Sequence, residues 1–183
     1  MHYSIVNIIM FFLIYGFLGF LAESIFRSIA EKRLFISRAF LTNGFCPLYG
    51  LCGILIVIIF TLCELTINNT LWALILATVA SIITVTFLEY IVGRVLDRVF
   101  NCKLWDYSSY YLNLHSYICV EFSLLWGIVA IILSNFIHPA MEVLVYAIPY
   151  EVRNFISTIG ISILFVNASY NLRQRYPKGK LKT

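Results

Sequence analysis

The sequence predicts an all-α integral membrane protein of about five transmembrane helices. Three observations carry this: an apolar excess, a series of long apolar runs, and a one-sided placement of Lys and Arg. Apolar residues make up 61% of the 183 and charged residues 12%, about half the charged share of a soluble domain. With 15 Phe and 12 Tyr against 4 Pro and 9 Gly, a soluble chain of this length could not hide its apolar surface. The excess must face lipid or a partner. The same arithmetic excludes a disordered chain, a disulfide-stapled secreted module and a nucleic-acid binder, and the net charge of +4 is modest.

A helical span needs roughly 20 mainly apolar residues. The runs predict spans over about 5–26, 48–67, 71–95, 118–137 and 152–170. The fifth is diluted by Arg153, Asn154, Ser157, Thr158, Ser162 and Asn167, so an amphipathic helix lying on the membrane surface stays open there as an alternative. Residues 1–172 read as a single transmembrane domain and 173–183 as a basic tail.

Orientation follows from the basic residues, which collect on the cytoplasmic side. Arg27, Lys32, Arg33 and Arg38 follow span one; Arg94, Arg98 and Lys103 follow span three; Arg173, Arg175, Lys178, Lys180 and Lys182 fill the tail. Only Arg153 falls on the other side. The N-terminus is therefore expected outside and the C-terminus in the cytoplasm, in a multi-pass protein of the cell (cytoplasmic) membrane. The first 26 residues hold no Lys or Arg, so Met1–Ala22 does not read as a cleavable signal peptide. The basic tail is first a topology anchor and only secondarily a lipid or partner site.

Cys46, Cys52, Cys63, Cys102 and Cys119 form no C-x-x-C pair, and His2, His115 and His138 are scattered. Neither a metal nor a cofactor is expected. Spans one and two also resemble spans three and four. Glu89 follows Glu23 by 66 residues, Lys103-Leu104-Trp105 answers Arg33-Leu34-Phe35, and Asn113 answers Asn43. Cys46 with Tyr49-Gly50 answers Cys119 with Trp126-Gly127, given a short insertion. These offsets point to a parallel two-helix repeat, against the alternative that two apolar helices look alike by default.

Ionisable residues inside spans are costly and face the bundle interior or a wet cavity. Glu23 and Arg27 stand one helical turn apart and can pair. Glu89 lies about 7–8 Å from Arg94 along the axis. Thr78, Thr86, Glu89, Gly93 and Asp97 give span three a small, polar stripe, and Glu121 with Ser123 opens span four. The connection Arg38–Pro47 is too apolar for a free loop, and its Asn-Gly and Cys-Pro pairs mark turns that fold back on the bundle. The connection from Lys103 to Tyr117 is rich in aromatics. Irregular backbone at membrane depth must be covered by protein or line a cavity. Both connections are therefore expected to dip toward the glutamates and to form a cytoplasm-facing polar vestibule. The bland alternative is a structural Glu–Arg pair and an interfacial aromatic belt.

No G-x-x-x-x-G-K-[ST], G-x-S-x-G or H-E-x-x-H occurs, which excludes a P-loop and two common hydrolase sites. The E-x-x-x-R of Glu23–Arg27 is similar to one in membrane-embedded prenyl-protein proteases, but the doubled glutamate and the later histidines are missing. A different set of pieces resembles the family of small bacterial membrane proteins described as putative type-IV ABC-transporter permeases. The pieces are Phe20–Arg27, Arg38–Gly50, Leu88–Gly93, Trp105–Ser108, and Tyr117–Cys119 with Phe122–Gly127. Together they cover about residues 8–138. Ala39, Phe45 and Glu121 depart from the family pattern.

The resemblance implies a membrane-spanning transporter subunit for a small polar or amphipathic solute. It implies a separate ATPase subunit, since this chain carries no nucleotide motif, and a homo- or hetero-oligomer within the lipid bilayer. The candidate substrate-binding residues are Glu23, Arg27, Arg38, Asn43, Cys46, Tyr49, Glu89, Arg94, Trp105, Asp106, Asn113 and Glu121. Two alternatives stand beside this. One is a membrane-embedded enzyme acting on a lipid or isoprenoid, with Cys46 as nucleophile or Glu89 and Asp106 as acid and base. The other is a non-catalytic partner subunit engaged through the Trp105–Tyr111 loop.

Overall fold

The computed structural model describes residues 4–30, 32, 34, 42 and 44–179. The helices are α1 (Ile5–Ala30), α2 (Pro47–Thr66), α3 (Thr70–Phe100), α4 (Val120–Ile132), α5 (His138–Ala147) and α6 (Tyr150–Gly179). A π-helical turn (Leu133–Ile137) joins α4 to α5 without a break. Among the described residues five helices are thus long and apolar enough to cross a membrane: Ile5–Ile29, Pro47–Thr66, Thr70–Phe100, Val120–Ala147 and Tyr150–Arg173. The chain is a multi-span helical membrane protein, as expected. Lipid offers no partner to a bare peptide group, so each span must satisfy its backbone within itself. Among the described residues the strands are confined to a small antiparallel hairpin, β1 (Asn113–Leu114) with β2 (Ile118–Cys119), in register Asn113↔Cys119 and Leu114↔Ile118.

Four helices outrun their expected ends, α1 reaching Ala30 and α6 Gly179, and in the other two the cause is local. α3 continues five residues past Val95, because Arg94, Asp97 and Arg98 end an apolar run without ending a helix. Asn101 ends it: at φ 48° it turns left-handed, and its N–H bonds the carbonyls of Asp97 and Leu96. At the other end the Asn69 side chain caps the N–H groups of Leu71 and Trp72 at 3.0 and 3.1 Å, the usual service of an Asn N-cap. The fourth span, expected to stop at Ile137, runs to Ala147. Pro139 lacks an N–H, and its ring would crowd the carbonyl of Asn135 in a regular α-turn. The chain widens instead, so that the His138 N–H reaches the carbonyl of Leu133, five residues back. Such π-turns absorb a residue that the α-helix cannot.

The chain falls into two compact units, residues 1–54 with 143–183, and residues 55–142. In the first, α1 packs along α6 and along the first half of α2. Glycines bring these helices together, as they do in membranes where apolar burial alone gives no drive. Gly50 meets the backbone and ring of Phe12, Gly53 meets Tyr15, and Gly160 of α6 meets Leu13. Val6, Met10, Phe11 and Tyr15 are buried there. In the second unit, α3 packs against α4, and Gly127 sits on Ile82 and Thr78. The buried face of α3 is Ala73, Ala77, Ser81, Val85, Glu89 and Gly93, each four residues from the next. Of the expected polar stripe, Glu89 and Gly93 belong to this face, while Thr78, Thr86 and Asp97 flank it half-buried. Residues such as Ile83, Phe87 and Phe165 are exposed, as lipid-facing positions should be.

Candidate functional site: two polar stations

The first station is built on one face of α1. Gly16, Gly19, Glu23 and Arg27 are spaced by three, four and four, which aligns them on a helix. Glu23 Oε1 and Arg27 Nη2 pair at 3.1 Å. The adjoining Ser24 and Ser28 return their hydroxyls to the carbonyls of Phe20 and Ser24. The connection before α2 does fold back here, as far as its described residues show. Thr42 is buried and donates to the Phe45 carbonyl. The Phe45 ring lies on Gly16 and 5.4 Å from the Phe12 ring, and the Cys46 N–H donates to the Gly16 carbonyl at 3.1 Å. A Cβ on Gly16 would run into the Phe45 ring, so only glycine lets this segment come so close. Tyr49 then rests on Gly19, one turn from Glu23.

Cys46 lies outside the spanning helices, and its thiol is pushed up to about 12. Burial is the main cause and the Glu23 charge adds to it, against the opposing N–H groups of Tyr49 and Leu48. A thiol held protonated is a poor nucleophile, which weighs against the enzymatic alternative. Arg38 and Asn43, also expected in the site, lie outside the described residues.

The second station surrounds the far end of α3. Glu89 is buried at 5% exposure. Arg94 donates to the Tyr90 hydroxyl at 3.1 Å and lies 5.8 Å from the centre of that ring. Tyr90 in turn meets His115, with its hydroxyl 3.4 Å from Nδ1, and meets the edge of Tyr117 at 5.9 Å. Tyr117 is fixed on every side. Its hydroxyl donates to Asp97 Oδ2 at 2.7 Å, its carbonyl accepts from Trp105 Nε1 at 2.7 Å, and its ring lies on Gly93. The connection from Lys103 is therefore not loose: Tyr117 ties it to Asp97 and Gly93 of α3.

The hairpin turn explains the cost of that tie. His115 and Ser116 both have positive φ, 53° and 61°, and the Tyr117 N–H closes the turn on the Leu114 carbonyl at 3.1 Å. Two successive left-handed central residues ordinarily select Asn-Gly; Tyr117 is the third residue of the loop between the paired strands. Leu112 adds a third left-handed residue at 56°. Asp106 and Asn113 serve the loop itself. Asp106 accepts from the Ser108 N–H at 2.9 Å and pairs with Lys103 at 3.7 Å; the Ser108 bond holds its carboxyl below the usual range. Asn113 donates to the Tyr110 carbonyl and accepts from the Ser116 N–H. Tyr107 stacks on Phe122 of α4 at 4.8 Å. Glu121 is exposed in the first turn of α4, a position that favours an acid through the helix dipole.

The structure thus gathers Glu23, Arg27, Cys46 and Tyr49 in one unit, and Arg94 and Trp105 around Tyr117 in the other, with Glu89 one turn before Gly93. Tyr90, His115 and Thr42 were not anticipated. The Tyr90–Arg94 spacing of four was the available signal for the first; nothing in the sequence marks the other two. A family model described as Putative ABC-transporter type IV matches residues 10–172. No curated protein and no solved structure matches the chain.

Proposed function

The chain belongs to the putative ABC-transporter type IV family, and from that premise we propose that it is the membrane-spanning subunit of a transporter for a small polar or amphipathic solute. In this reading residues 1–172 are the membrane domain, with the N-terminus outside the cell membrane and the basic tail in the cytoplasm. The family match is the observation that carries the proposal. Energy comes from a separate ATPase subunit, since the chain has no nucleotide motif, and the subunit works as a homo- or hetero-oligomer.

The solute-contacting residues are drawn from the two stations near the cytoplasmic ends of spans one and three, Glu23 with Arg27 and Glu89 with Arg94, and these line the cytoplasm-facing vestibule. Arginines attract anionic groups of the solute, and the carboxylates balance charge or carry protons. Support comes from the expense of such groups at membrane depth. The parallel repeat is part of the proposal. It gains support from a shared packing rule: Gly50 rests on Phe12 and Gly127 on Ile82 and Thr78, and Phe12 and Thr78 stand 66 apart in the chain, as Glu23 and Glu89 do.

The deciding experiment is a gentle affinity purification from native membranes, with every co-purifying protein identified by mass spectrometry. A stoichiometric ATPase is expected. A homo-oligomer alone, or a bound lipid without an ATPase, would overturn the transporter reading. Glu89→Gln and Arg27→Ala should abolish uptake at unchanged membrane levels; equal loss of protein would mark both residues as structural.

A further inference from the structure

Arg153 stands in the first turn of α6, at the end of the first unit opposite the Glu23–Arg27 station. Measured along α1, Asn7 and Glu23 are about 24 Å apart. The Arg153 Nη1 donates to Asn7 Oδ1 at 2.7 Å, and Asn7 is itself buried at 4% exposure. The guanidinium carbon lies 5.3 Å from the centre of the Tyr146 ring and 5.9 Å from that of Tyr150. The Nε is fully buried and donates to nothing. Among the described residues, no carboxylate pairs with Arg153.

A guanidinium always carries its charge and offers five donors in a planar fork. Here one neutral amide oxygen and two ring faces answer it. A half-buried charge without a counter-charge still loses part of its hydration, and a neutral Asn cannot supply the opposite charge. Tyr146 and Tyr150 are about half exposed, so one approach to the cation stays open at the level where a spanning helix begins. From this we infer an oxyanion-binding site at Arg153, in which the guanidinium fork takes a phosphate group between the two tyrosine rings while Asn7 holds the fork in place. The chemistry is that of a phosphate oxyanion, carried either by a phospholipid headgroup or by a soluble phosphate. It is independent of the transporter reading, because none of the station residues takes part.

The test uses the full chain in mixed micelles, read by thermal unfolding and by mass spectrometry of retained lipid. Probes are inorganic phosphate, phosphatidylglycerol and phosphatidylcholine. At about a hundredfold excess over Kd, a ligand bound only to the folded state should raise Tm by roughly 5 °C for a chain of this size. A shift with inorganic phosphate assigns the site to a soluble anion. A shift with phosphatidylglycerol alone, with about one lipid retained per chain, assigns it to a headgroup. Arg153→Ala should abolish the shift. Arg153→Lys, which keeps the charge and loses the fork, should retain the fold and weaken binding at least tenfold. No shift with any probe, or an equal shift in folded Arg153→Lys and wild type, would overturn the inference.

Discussion

The hydroxyl of Tyr117 donates to the Asp97 carboxylate across 2.7 Å, tying the end of the Lys103–Tyr117 connection to the last turns of α3. Bonding to a carboxylate favours the neutral phenol and raises the Tyr117 pKa above its ordinary value. The neutral form is the one that holds the tie. Its contribution is therefore complete below the unfolded pKa of about 10 and is lost as pH rises through the higher folded value. In an alkaline titration followed by phenolate absorbance, wild type should show one late-ionising tyrosine that Asp97→Asn shifts earlier and Tyr117→Phe removes. Identical curves for all three proteins would refute the tie.

Gly50 and Gly127 both admit a neighbouring helix, but what they face differs. A Cβ at Gly50 would lie 2.8 Å from the Phe12 carbonyl oxygen, a backbone atom that cannot swing aside. At Gly127 the nearest atom is the Ile82 Cδ1, the tip of a flexible side chain. Gly50→Ala should therefore cost about 1–3 kcal/mol by overpacking, and Gly127→Ala clearly less. Thermal unfolding in detergent checks the order, which would be wrong if Gly127→Ala were the more harmful.

Ser116 sits at φ 61°, where an L-residue is disfavoured by about 1–2 kcal/mol. Glycine removes that strain and returns part of the gain through the freer unfolded chain. Ser116→Gly is expected to stabilise by roughly 0.5–1 kcal/mol, while Ser116→Val should destabilise. A shift in the opposite order would mean that the contact between Lys103 and the Ser116 hydroxyl, 3.5 Å long, outweighs the backbone.

With its thiol pushed up to about 12, Cys46 should be almost wholly protonated at neutral pH. Alkylation by iodoacetamide, followed site by site by mass spectrometry, should find Cys46 slower than a free cysteine of ordinary pKa by at least tenfold. Cys46→Ser should leave function intact. Rapid labelling near pH 7, or loss of function in that variant, would revive a nucleophilic role.

The five spans were legible because about twenty consecutive apolar residues have few other readings. Their ends were less so. Hydropathy follows lipid, and the apolar run of α3 thins out near Arg94 while its hydrogen bonding carries on to Phe100. His138-Pro139 looked like a break, yet a π-turn carries the helix through it. The buried face of α3 was half seen: a search for polarity finds Glu89 and passes over Ala73 and Ala77, which matter by being small. Glu23 with Arg27 needed only helical spacing to be recognised. The ties that Tyr117 makes to Asp97, Trp105 and Gly93 depend on how twenty irregular residues return on themselves, and no local pattern encodes that.

The lengths of α2 and α3 make this chain a gauge of its bilayer. α2 has 20 residues, about 30 Å of helix, which matches the hydrocarbon thickness with nothing to spare. α3 has 31 residues, about 46 Å, longer than a bilayer with its headgroups. Three residues, Ile67–Asn69, join them. In longer-chain lipids α3 can stand more upright, whereas α2 can only draw its ends inward or thin the membrane around it, at a cost for each ångström of mismatch. Acyl length, varied one pair of carbons at a time, should therefore be felt first at α2, where the Cys46–Gly50 packing against α1 begins.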